Sequence, residues 1–353
     1  MTRALRRTVG AGLLAAALAA LALTGCAPPP SGGGSASLPA NEDQLIAKAK
    51  QEGKVVLGAG GHTREQAQLL ADKFKEKYGI PVTFVREASG DIAQKTQAQI
   101  TAHALEFDAV SLNDEATLRV WTDAKVLADP AVANRDQILK PLSNPQNKYL
   151  PFTWGALGYS YNAAKTKPET APTTWDDLAA RQGAFGVADP GSSGAALTYV
   201  AAMEQINPGF MPALRQRKTL VADSALALTQ LLATGEADFG IPGIEADVAT
   251  AKKGGEPLAM GYPTGRIGAL PSYVAALEQA QHPAAARLLV RFQLSPEFQA
   301  AQAGIGSRSV LNGAPVPTGA APITEDRLVV IPAKDVKARK EDLKRTFATA
   351  VGR

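Results

Sequence analysis

Cysteine is nearly absent from this 353-residue chain, which has Cys26 and no other. A single cysteine excludes an internal disulfide and a CxxC metal site. Histidine is scarce too, with only three residues, whereas hydrolytic nucleophiles need an adjacent base. The Gly-Ser-Ser-Gly sequence at 191–194 is one residue too short for the Gly-x-Ser-x-Gly nucleophile elbow. We therefore expect a protein that is not an enzyme and that uses no cofactor.

A marked excess of charge of either sign is also missing. Lys and Arg number 37 against 33 Asp and Glu, and without the three arginines of the N-terminal segment the net charge falls from +4 to +1. There is no run of like charges, so we expect no nucleic-acid partner. The glycines at 58–61 follow a predicted strand but lack the third glycine of the dinucleotide-binding fingerprint.

Residues 1–25 predict a lipoprotein signal peptide. Arginines precede an apolar stretch at 11–23 that is too short to span a bilayer. Leu-Thr-Gly ahead of Cys26 resembles the lipobox of bacterial lipoproteins, so we expect a lipid on Cys26 that anchors the chain to the outer face of a bacterial membrane. Residues 26–40, rich in proline, glycine and serine, predict a flexible tether. The arginine pair at 6–7 leaves both Sec and twin-arginine export open.

Helices and strands alternate from residue 41 onwards. The predicted order is helix 42–52, strand 54–57, helix 64–78, strand 82–85, helix 89–103 and strand 108–112. This order is typical of a mostly parallel sheet covered by helices on both faces. Because ligands bind beyond the carboxyl ends of such strands, we expect a binding site formed by the residues that follow them: Gly61, His62, Ser89, Gly90, Asn113 and Asp114.

A second strand, turn and helix start is predicted around residues 185–203. The unpaired N–H groups and positive dipole end of a helix start attract anions. Ser192, Ser193 and Gly194 would add hydroxyl donors and close access to the backbone, which suits an anion or a polar solute. The alternative is that one of the serines only caps the helix. Further along, the pattern predicts one closing helix at 333–351.

Short sequences along nearly the whole chain after residue 40 resemble one known family. They are Phe74-x4-Gly79-Ile80-x-Val82, Ser89-Gly90-Asp91, Phe107-Asp108-Ala109-Val110, Gly158-Tyr159-Ser160-Tyr161-Asn162, Pro172-Thr173-Thr174-Trp175-Asp176-Asp177-Leu178, Asp189-Pro190 with Ser193-Gly194, Gly235-Glu236-Ala237-Asp238, and His282-Pro283-Ala284-Ala285-Ala286 leading to Leu294-Ser295-Pro296-Glu297-Phe298-Gln299. In this order they resemble the extracellular solute-binding proteins of ABC importers, in the branch of ferric-ion, thiamine, polyamine, phosphonate and sugar-phosphate binders.

The resemblance implies an α/β protein with the two-lobed periplasmic-binding-protein fold of class II type. Strands that cross between the lobes would form a hinge, and the ligand cleft would lie between the lobes. The extended segments at 152–162 and 264–277 fit these crossings. The implied lobes are residues 41–150 with about 264–295 and residues 151–263 with about 296–353. The implied partners are a small-molecule solute and the membrane permease and ATPase of an importer.

The resemblance leaves two solute classes open. In ferric-ion binders the ligands are a histidine of the first loop, an acid after the third strand and a tyrosine pair of the second lobe. Here His62 matches the histidine, Asp114 lies beside Asn113 at the acid position, and the tyrosine pair falls at Ile244 and Glu245. Ferric iron would then take His62, Asp114 and Glu245, since carboxylates suit hard cations.

The other class is an organic or phosphate-bearing or phosphonate-bearing solute held by the two helix starts. Trp154 would pack against its carbon portion, or else serve hinge packing, and Arg266 would pair with its anion, or else be a solvated surface residue. A third interpretation, from a different functional class, is a sensor or structural lipoprotein with the same fold.

Overall fold

The computed structural model describes residues 41–144 and 148–353. The predicted signal peptide, the tether and the lipidation of Cys26 lie outside these residues. The strands are β1 (Val55–Ala59), β2 (Val82–Val85), β3 (Ala109–Leu112), β4 (Tyr149–Asn162), β5 (Ala184–Ala188), β6 (Lys218–Ala222), β7 (Phe239–Ile244), β8 (Leu258–Gly261), β9 (Ile267–Ala276) and β10 (Leu328–Val329).

The helices are α1 (Glu42–Glu52), α2 (Arg64–Tyr78), α3 (Ser89–Thr101), α4 (Glu115–Asp123), α5 (Trp175–Ala180), α6 (Gly194–Ile206), α7 (Phe210–Leu214), α8 (Ala225–Ala233), α9 (Glu245–Lys253), α10 (Pro283–Gln293), α11 (Pro296–Gly304), α12 (Ala333–Ala338) and α13 (Lys340–Ala350). Short 3-10 helices cover Arg135–Gln137, Lys140–Leu142, Pro168–Thr170 and Glu325–Arg327. Across 41–144 and 148–353, no helix combines the length and the apolar character that crossing a bilayer requires.

The strands join into one mixed sheet in the order β2-β1-β3-β9-β4-β7-β5-β6, with β10 beside β9 and β8 beside β4. β1 is parallel to β2 and β3, and β5 is parallel to β6 and β7. Between these groups, β4 and β9 run antiparallel, with Tyr149 opposite Ala275 and Leu157 opposite Gly268. We call β2, β1 and β3 the first flank of the sheet and β7, β5 and β6 the second flank. The β4–β9 pair joins the two flanks, as crossing strands would.

Helix α2 shows how local sequence determines an element. Thr63 and Gln66 form a capping box at its start, and Gly79 ends it with a φ of 74°, a left-handed conformation that glycine adopts without strain. The residues between them place one apolar face on the interior, where Leu70 and Phe74 are fully buried. The predicted bounds of this helix, 64–78, are confirmed.

The C-terminal region differs from its prediction in one respect. The expected single helix at 333–351 is two helices. They are separated at Arg339, whose backbone (φ −106°, ψ 13°) is not helical. The buried Val336 belongs to α12, which contacts α4 and α6, whereas Leu343 and Phe347 belong to α13, which packs on α6 and α7. The break lets the two segments cover different neighbours.

Helix α11 packs beside the first flank. It contacts α2 and α10, and the rings of Phe298 and Phe292 lie 5.2 Å apart between centroids. The sequence-based division assigned residues from 296 onwards to the second lobe, so this helix lies with helices of the other flank. The two helices lie side by side because only Leu294 and Ser295 connect them, and Ser295 is the N-cap of α11.

Candidate functional site

A cleft of about 980 Å³ opens at the carboxyl ends of the parallel strands of both flanks. Loops after β1, β2 and β3 form its first wall, loops after β5 and β7 form its second wall, and β4 and β9 contribute its floor. A cleft of this size suits a small molecule. Its lining includes these predicted residues: Gly61, His62, Ser89, Gly90, Asn113, Asp114, Trp154, Ser192, Gly194 and Glu245. Ser193 and Arg266 are not among the lining residues.

His62, on the first wall, is a buried residue with both ring nitrogens in use. Nε2 lies 3.0 Å from Gln293 Oε1 and Nδ1 lies 2.7 Å from Ser111 Oγ. Because an amide oxygen can only accept, we assign the proton to Nε2, and the Ser111 hydroxyl then donates to Nδ1. The ring also stacks on Phe152 at 4.0 Å between centroids. Burial lowers the pKa of His62 to about 3, against a raising effect of the Gln293 hydrogen bond, so the ring is neutral at physiological pH.

The two glycines before His62 are closely packed against backbone atoms. A Cβ on Gly60 would lie 2.9 Å from Ser111 O and 2.9 Å from Ser89 Cα, and a Cβ on Gly61 would lie 3.0 Å from Leu112 N. Gly61 N also donates to Ser111 O at 2.8 Å. The glycine-rich sequence of this loop therefore serves close contact with β3 and α3, and Gly61 reaches the cleft only as part of that packing.

The start of α3 has donors without partners. Its N-cap residue, Ala88, offers no side-chain acceptor, so the N–H groups of Ser89 and Gly90 lack an intrahelical partner. A Cβ on Gly90 would meet nothing within 4 Å, and its φ is not positive. Neither packing nor backbone conformation explains why this residue is a glycine. Without a side chain, the backbone of Gly90 remains accessible from the cleft that it lines.

Asn113 and Asp114, after β3, are already engaged. Ser89 Oγ accepts from Asn113 N at 3.0 Å, and Ser272 Oγ donates to Asn113 Oδ1 at 2.8 Å. Asp114 is the N-cap of α4, where its carboxylate accepts from Ala116 N at 2.9 Å and from Thr117 Oγ1 at 2.8 Å. Asp114 thus stabilises a helix start that contributes to the wall.

The second wall presents the start of α6, and here the capping alternative applies to Ser193. Its hydroxyl oxygen accepts the N–H of the third helical residue at 3.2 Å, and the side chain is 9% exposed. Ser192 lines the cleft, but its hydroxyl donates to Asp223 O at 2.6 Å. A Cβ on Gly194 would meet nothing within 4 Å. The N–H groups of Gly194 and Ala195 are therefore the uncapped donors of this wall.

Arg266 lies away from the cleft. β9 begins at Ile267, and the part of this strand that lines the cleft is Leu270 to Ser272, several residues further along. The guanidinium of Arg266 donates to Gln205 O at 3.3 Å. The expectation that Arg266 pairs with a solute anion is corrected on this ground, because the residue sits at the start of the crossing strand and not at its middle.

Trp154 reaches the cleft with little open surface. It is 5% exposed, and Nε1 donates to Ser309 O at 2.8 Å. The Arg308 guanidinium carbon lies 4.9 Å from the centre of its ring, a cation–π distance. The ring therefore packs against the protein, as the hinge-packing alternative describes.

Glu245, the first residue of α9, has a fully engaged carboxylate. It accepts from Arg308 Nε at 2.8 Å and Nη2 at 2.7 Å, from Tyr262 Oη at 2.6 Å and from Ala156 N at 3.1 Å. Burial and the negative charge of Glu245 raise the pKa of Tyr262 well above its usual range, so the phenol remains a donor. Glu245 is a structural anion at the base of the second wall.

These contacts argue against the ferric-ion alternative. His62 uses both nitrogens, Asp114 caps a helix, and Glu245 is bound by an arginine and a tyrosine. Within the described part of the chain, no group of three or more His, Cys, Asp or Glu side chains is arranged to hold a metal ion. The three residues that matched the iron-ligand positions in sequence are therefore not assembled into a metal site.

Two of the three acidic side chains that line the cleft have a basic partner, whereas several of the basic ones have no acidic partner among the described residues. Glu245 pairs with Arg308, and Glu65 pairs with Lys253 at 2.8 Å. Arg86 donates from Nε to His62 O at 3.2 Å and forms no ion pair in 41–144 and 148–353. Two further lining residues, Lys337 in the last turn of α12 and Lys340 at the start of α13, likewise form no ion pair within the described residues.

The crossed sheet, the cleft between its flanks and the helix starts on both walls define a two-lobed binding protein. Residues 70–329 match the family model of bacterial extracellular solute-binding proteins. The chain belongs to this family, whose members bind small-molecule solutes for ABC importers and are not catalysts.

Individual relatives agree with this fold. An uncharacterized protein of Haemophilus influenzae is 26% identical over 271 residues, covering 71% of this chain and 75% of that protein. The structure of iron-bound HitA from Pseudomonas aeruginosa matches with a TM-score of 0.66 at 20% identity, over 82% of this chain and 99% of that one. The structure of AfuA from Actinobacillus pleuropneumoniae with fructose-6-phosphate bound matches with a TM-score of 0.63 at 23% identity, over 85% of this chain and 98% of that one. A periplasmic thiamin binding protein matches with a TM-score of 0.63 at 18% identity, over 85% of this chain and 96% of that one.

These matches confirm the predicted two-lobed periplasmic-binding-protein fold. The three proteins of known structure bind iron, fructose 6-phosphate and thiamin, and at such identities the likeness extends to the fold alone. The choice of solute depends on the cleft residues of this chain.

Sequence reasoning missed two arginines of the cleft. Arg86 directly follows β2, so the rule that ligands bind at the carboxyl ends of parallel strands points to it. Arg308 lies in the segment after α11, where no local pattern marks it. Its backbone pairs with Trp154 in an isolated bridge, a contact between positions remote in sequence.

Proposed function

We propose that this protein is the lipid-anchored receptor of an ABC importer and that its solute is a small polar molecule bearing an anionic group such as phosphate or phosphonate. The observation that carries the solute class is the charge balance of the cleft. Its glutamates are paired and Asp114 caps a helix, whereas Arg86, Lys337 and Lys340 have no acidic partner in the described chain. Such a surplus of positive charge attracts an anion.

The helix starts support the same class. The uncapped N–H groups of α3 on the first wall and of α6 on the second wall belong to residues that line the cleft, and each start has a glycine whose Cβ would meet nothing within 4 Å. The N–H groups and dipoles of helix starts stabilise oxyanions without a full countercharge. A solute held by both walls would favour the closed arrangement of the lobes.

The lobes follow from the flanks. We assign α1 to α4, α10 and α11 to the first lobe and α5 to α9, α12 and α13 to the second, which moves the later boundary from residue 295 to about residue 304. For α11 the assignment rests on its contacts with α2 and α10, and for α13 on its contacts with α6 and α7. Helix α12 contacts α4 of the first lobe as well as α6 of the second, and it is assigned with α13, which directly follows it. The β4–β9 pair would serve as the hinge, and the closed form would be the one that the permease recognises.

The first experiment identifies the solute. Native mass spectrometry of the protein, purified without added solute, is expected to show a bound mass that contains phosphorus. Calorimetry then compares fructose 6-phosphate, fructose and ferric citrate. We expect the phosphate ester to bind and free fructose to bind at least tenfold more weakly. Equal affinity for fructose, or tight binding of iron alone, would contradict the proposed solute class.

Arg86 provides a direct variant for this test. Arg86→Gln removes an exposed positive charge from the first wall and is expected to weaken binding of fructose 6-phosphate by about three- to tenfold, the effect of losing one charge-assisted hydrogen bond that water partly screens. Arg215→Gln is the matched control, because Arg215 is exposed and lies outside the cleft. An equal loss in both variants would indicate a general charge effect.

The same titrations separate transport from the sensor or structural interpretation. A solute at 100 times its Kd stabilises the folded state by about 2.7 kcal/mol. If no compound of a broad panel of phosphates, phosphonates, amines and metal ions shifts the unfolding temperature, the structural interpretation is favoured.

The anchor is tested separately. We expect the wild-type precursor, expressed in its bacterial host, to incorporate labelled palmitate and to sediment with membranes, whereas Cys26→Ser protein does neither. Substitution of the neighbouring Ser31 by alanine is the control. Membrane association of the Cys26→Ser protein would contradict lipid anchoring at this residue.

A further inference from the structure

Arg308 is a nearly buried arginine that lines the cleft. It is 4% exposed, and it lies in the segment that connects α11 to β10. Its position is fixed through the backbone, because it pairs with Trp154 of β4 in an isolated bridge and its carbonyl accepts from Thr153 Oγ1 at 2.9 Å. A charged side chain held this firmly below the surface of a binding cleft needs an explanation beyond surface solvation.

One edge of its guanidinium is fully used. Nε and Nη2 donate to the two carboxylate oxygens of Glu245 at 2.7 to 3.0 Å, and Nη2 also donates to Ala321 O at 2.8 Å. The plane of the group lies over Trp154, with Tyr262 on another side at 5.6 Å from ring centre to guanidinium carbon. These contacts fix the direction in which the remaining nitrogen points.

That remaining nitrogen is Nη1. It has no hydrogen-bond partner among residues 41–144 and 148–353, and it is not one of the fully enclosed polar atoms that lack partners there. Arg308 meets the cleft among residues 305–308. Nη1 is therefore the one guanidinium nitrogen of this cleft-lining arginine whose N–H groups have no acceptor among the described residues.

From this geometry we propose that Arg308 Nη1 binds an oxygen of the anionic group of the solute, with Glu245 as the positioning residue that holds the guanidinium in place. This inference rests on the proposed function and assigns the anion-contacting residue at the cleft floor. Charge-assisted N–H bonds to phosphate oxygens are short and directional, and a guanidinium with a fixed plane loses little freedom on binding.

In this arrangement Glu245 holds Arg308 in place, whereas the sequence suggested that it binds the solute or iron directly. Its carboxylate occupies the start of α9 and is saturated by four donors from Arg308, Tyr262 and Ala156. It therefore blocks the α9 start to solute anions, which leaves the α3 and α6 starts and Arg308 Nη1 as the donors that an anion meets. We infer that the anionic group lies near the floor of the cleft.

The test measures affinities of the full mature chain for fructose 6-phosphate and for inorganic phosphate by calorimetry. Arg308→Lys keeps the charge beside Glu245 but removes the fixed guanidinium plane, and we expect it to raise both Kd values about tenfold or more. The double variant Arg308→Met with Glu245→Gln removes the pair without leaving a buried charge unpaired, and the same loss is expected. Circular dichroism and the unfolding temperature verify folding.

Arg287→Lys is the matched control, because Arg287 is also buried, also paired with a glutamate (Glu278), and outside the cleft. Its Kd values should stay at those of the wild type. Unchanged affinities in a folded Arg308 variant would overturn the assignment of Arg308 while leaving the proposed solute class intact. If neither fructose 6-phosphate nor inorganic phosphate binds to the wild type, both the assignment of Arg308 and the proposed solute class are overturned.

Discussion

Two loops face each other across the cleft, and they differ in what their polar groups already do. After β1, the loop of Gly60, Gly61 and His62 is packed against β3 and α3, and both ring nitrogens of His62 are bonded. After β5, the turn before α6 ends in Ser193 as a cap and leaves Gly194 in open space. The first loop is part of the interior, and the second has donors left for a ligand.

The difference separates two uses of glycine. A Cβ on Gly60 would collide with backbone atoms and one on Gly61 would be tightly crowded by them, whereas Gly90 and Gly194 have open space and an ordinary backbone. A glycine that packing does not explain, at a helix start that lines a cleft, keeps the backbone accessible to a solute. Four measurements can test this distinction.

The largest effect concerns His62 and pH. Its folded-state pKa, about 3, lies below the value of about 6.5 for an unfolded chain. Above pH 6.5 both states are neutral, and below it only the unfolded state takes up the proton. The free energy of unfolding should therefore fall by about 1.4 kcal/mol per pH unit between roughly pH 6 and pH 4 from this residue alone.

Urea unfolding at pH 7 and pH 4 measures this contribution. His62→Gln is expected to lose less stability between the two pH values than the wild type, even though it is less stable at pH 7. His103→Asn is the control, because His103 is exposed and has a positive φ of 52° that asparagine tolerates. Identical pH dependence in His62→Gln and the wild type would contradict a buried, neutral His62.

The second prediction compares the two kinds of glycine. Gly60→Ala places a Cβ at 2.9 Å from backbone atoms, and we expect a loss of about 1–3 kcal/mol in the free energy of unfolding. Gly194→Ala should leave it unchanged or raise it by up to about 1 kcal/mol, because alanine is the better helix former. The same variant should weaken binding of fructose 6-phosphate, since its methyl group covers the N–H groups of the α6 start. A Gly194→Ala protein with full affinity would place the solute elsewhere.

The third prediction concerns Ser193. As a helix cap, Ser193→Ala is expected to cost about 1 kcal/mol of stability and to change the affinity for fructose 6-phosphate less than threefold. Ser224→Ala removes an equivalent cap from α8, outside the cleft, and should behave alike. If Ser193→Ala alone weakens binding tenfold, its hydroxyl contacts the solute after all and the distinction drawn here fails.

The smallest effect concerns the ion pair between Glu65 of α2 and Lys253 of α9, which joins the two walls at 2.8 Å. Both side chains are more than half exposed, so the pair contributes about 0.2–1 kcal/mol to holding the two walls together. Lys253→Met should weaken solute binding up to about fivefold at low salt and hardly at all at 1 M salt, where screening acts within about 3 Å. Lys73→Met, which breaks an exposed pair within α2, is the control. A salt-independent loss would mean that Lys253 contacts the solute directly.

Local sequence predicted what local contacts determine. The bounds of α2 follow from Thr63, Gln66 and Gly79, which all lie within the helix or beside it. The first wall was predicted because its loops follow parallel strands, a rule that needs no knowledge of partners. The capping alternative for the serines was also visible in the sequence, and only the structure shows that it applies to Ser193.

Long-range contacts could not be predicted in the same way. His62 was expected to bind the solute or iron, but it is buried and its Nε2 is bonded to Gln293, 231 positions away. Arg266 was placed in the cleft because the start of β9 could not be distinguished from its middle, and Arg308 was missed because its bridge to Trp154 is set by tertiary packing. In each case the sequence gives the residue, but not the residues that contact it in the folded chain.

The position of β9 in the sheet has a consequence for how the chain folds. β9 lies between β3 and β4, yet residues 113–266 separate it from β3 in sequence. During synthesis from the N-terminus, β3 therefore remains an edge strand until Ile267 to Ala276 have been made. Closing so long a loop slows folding, and an unpaired edge invites association with other chains. A fragment that ends before β9 should accordingly aggregate, even though it contains every strand of both flanks.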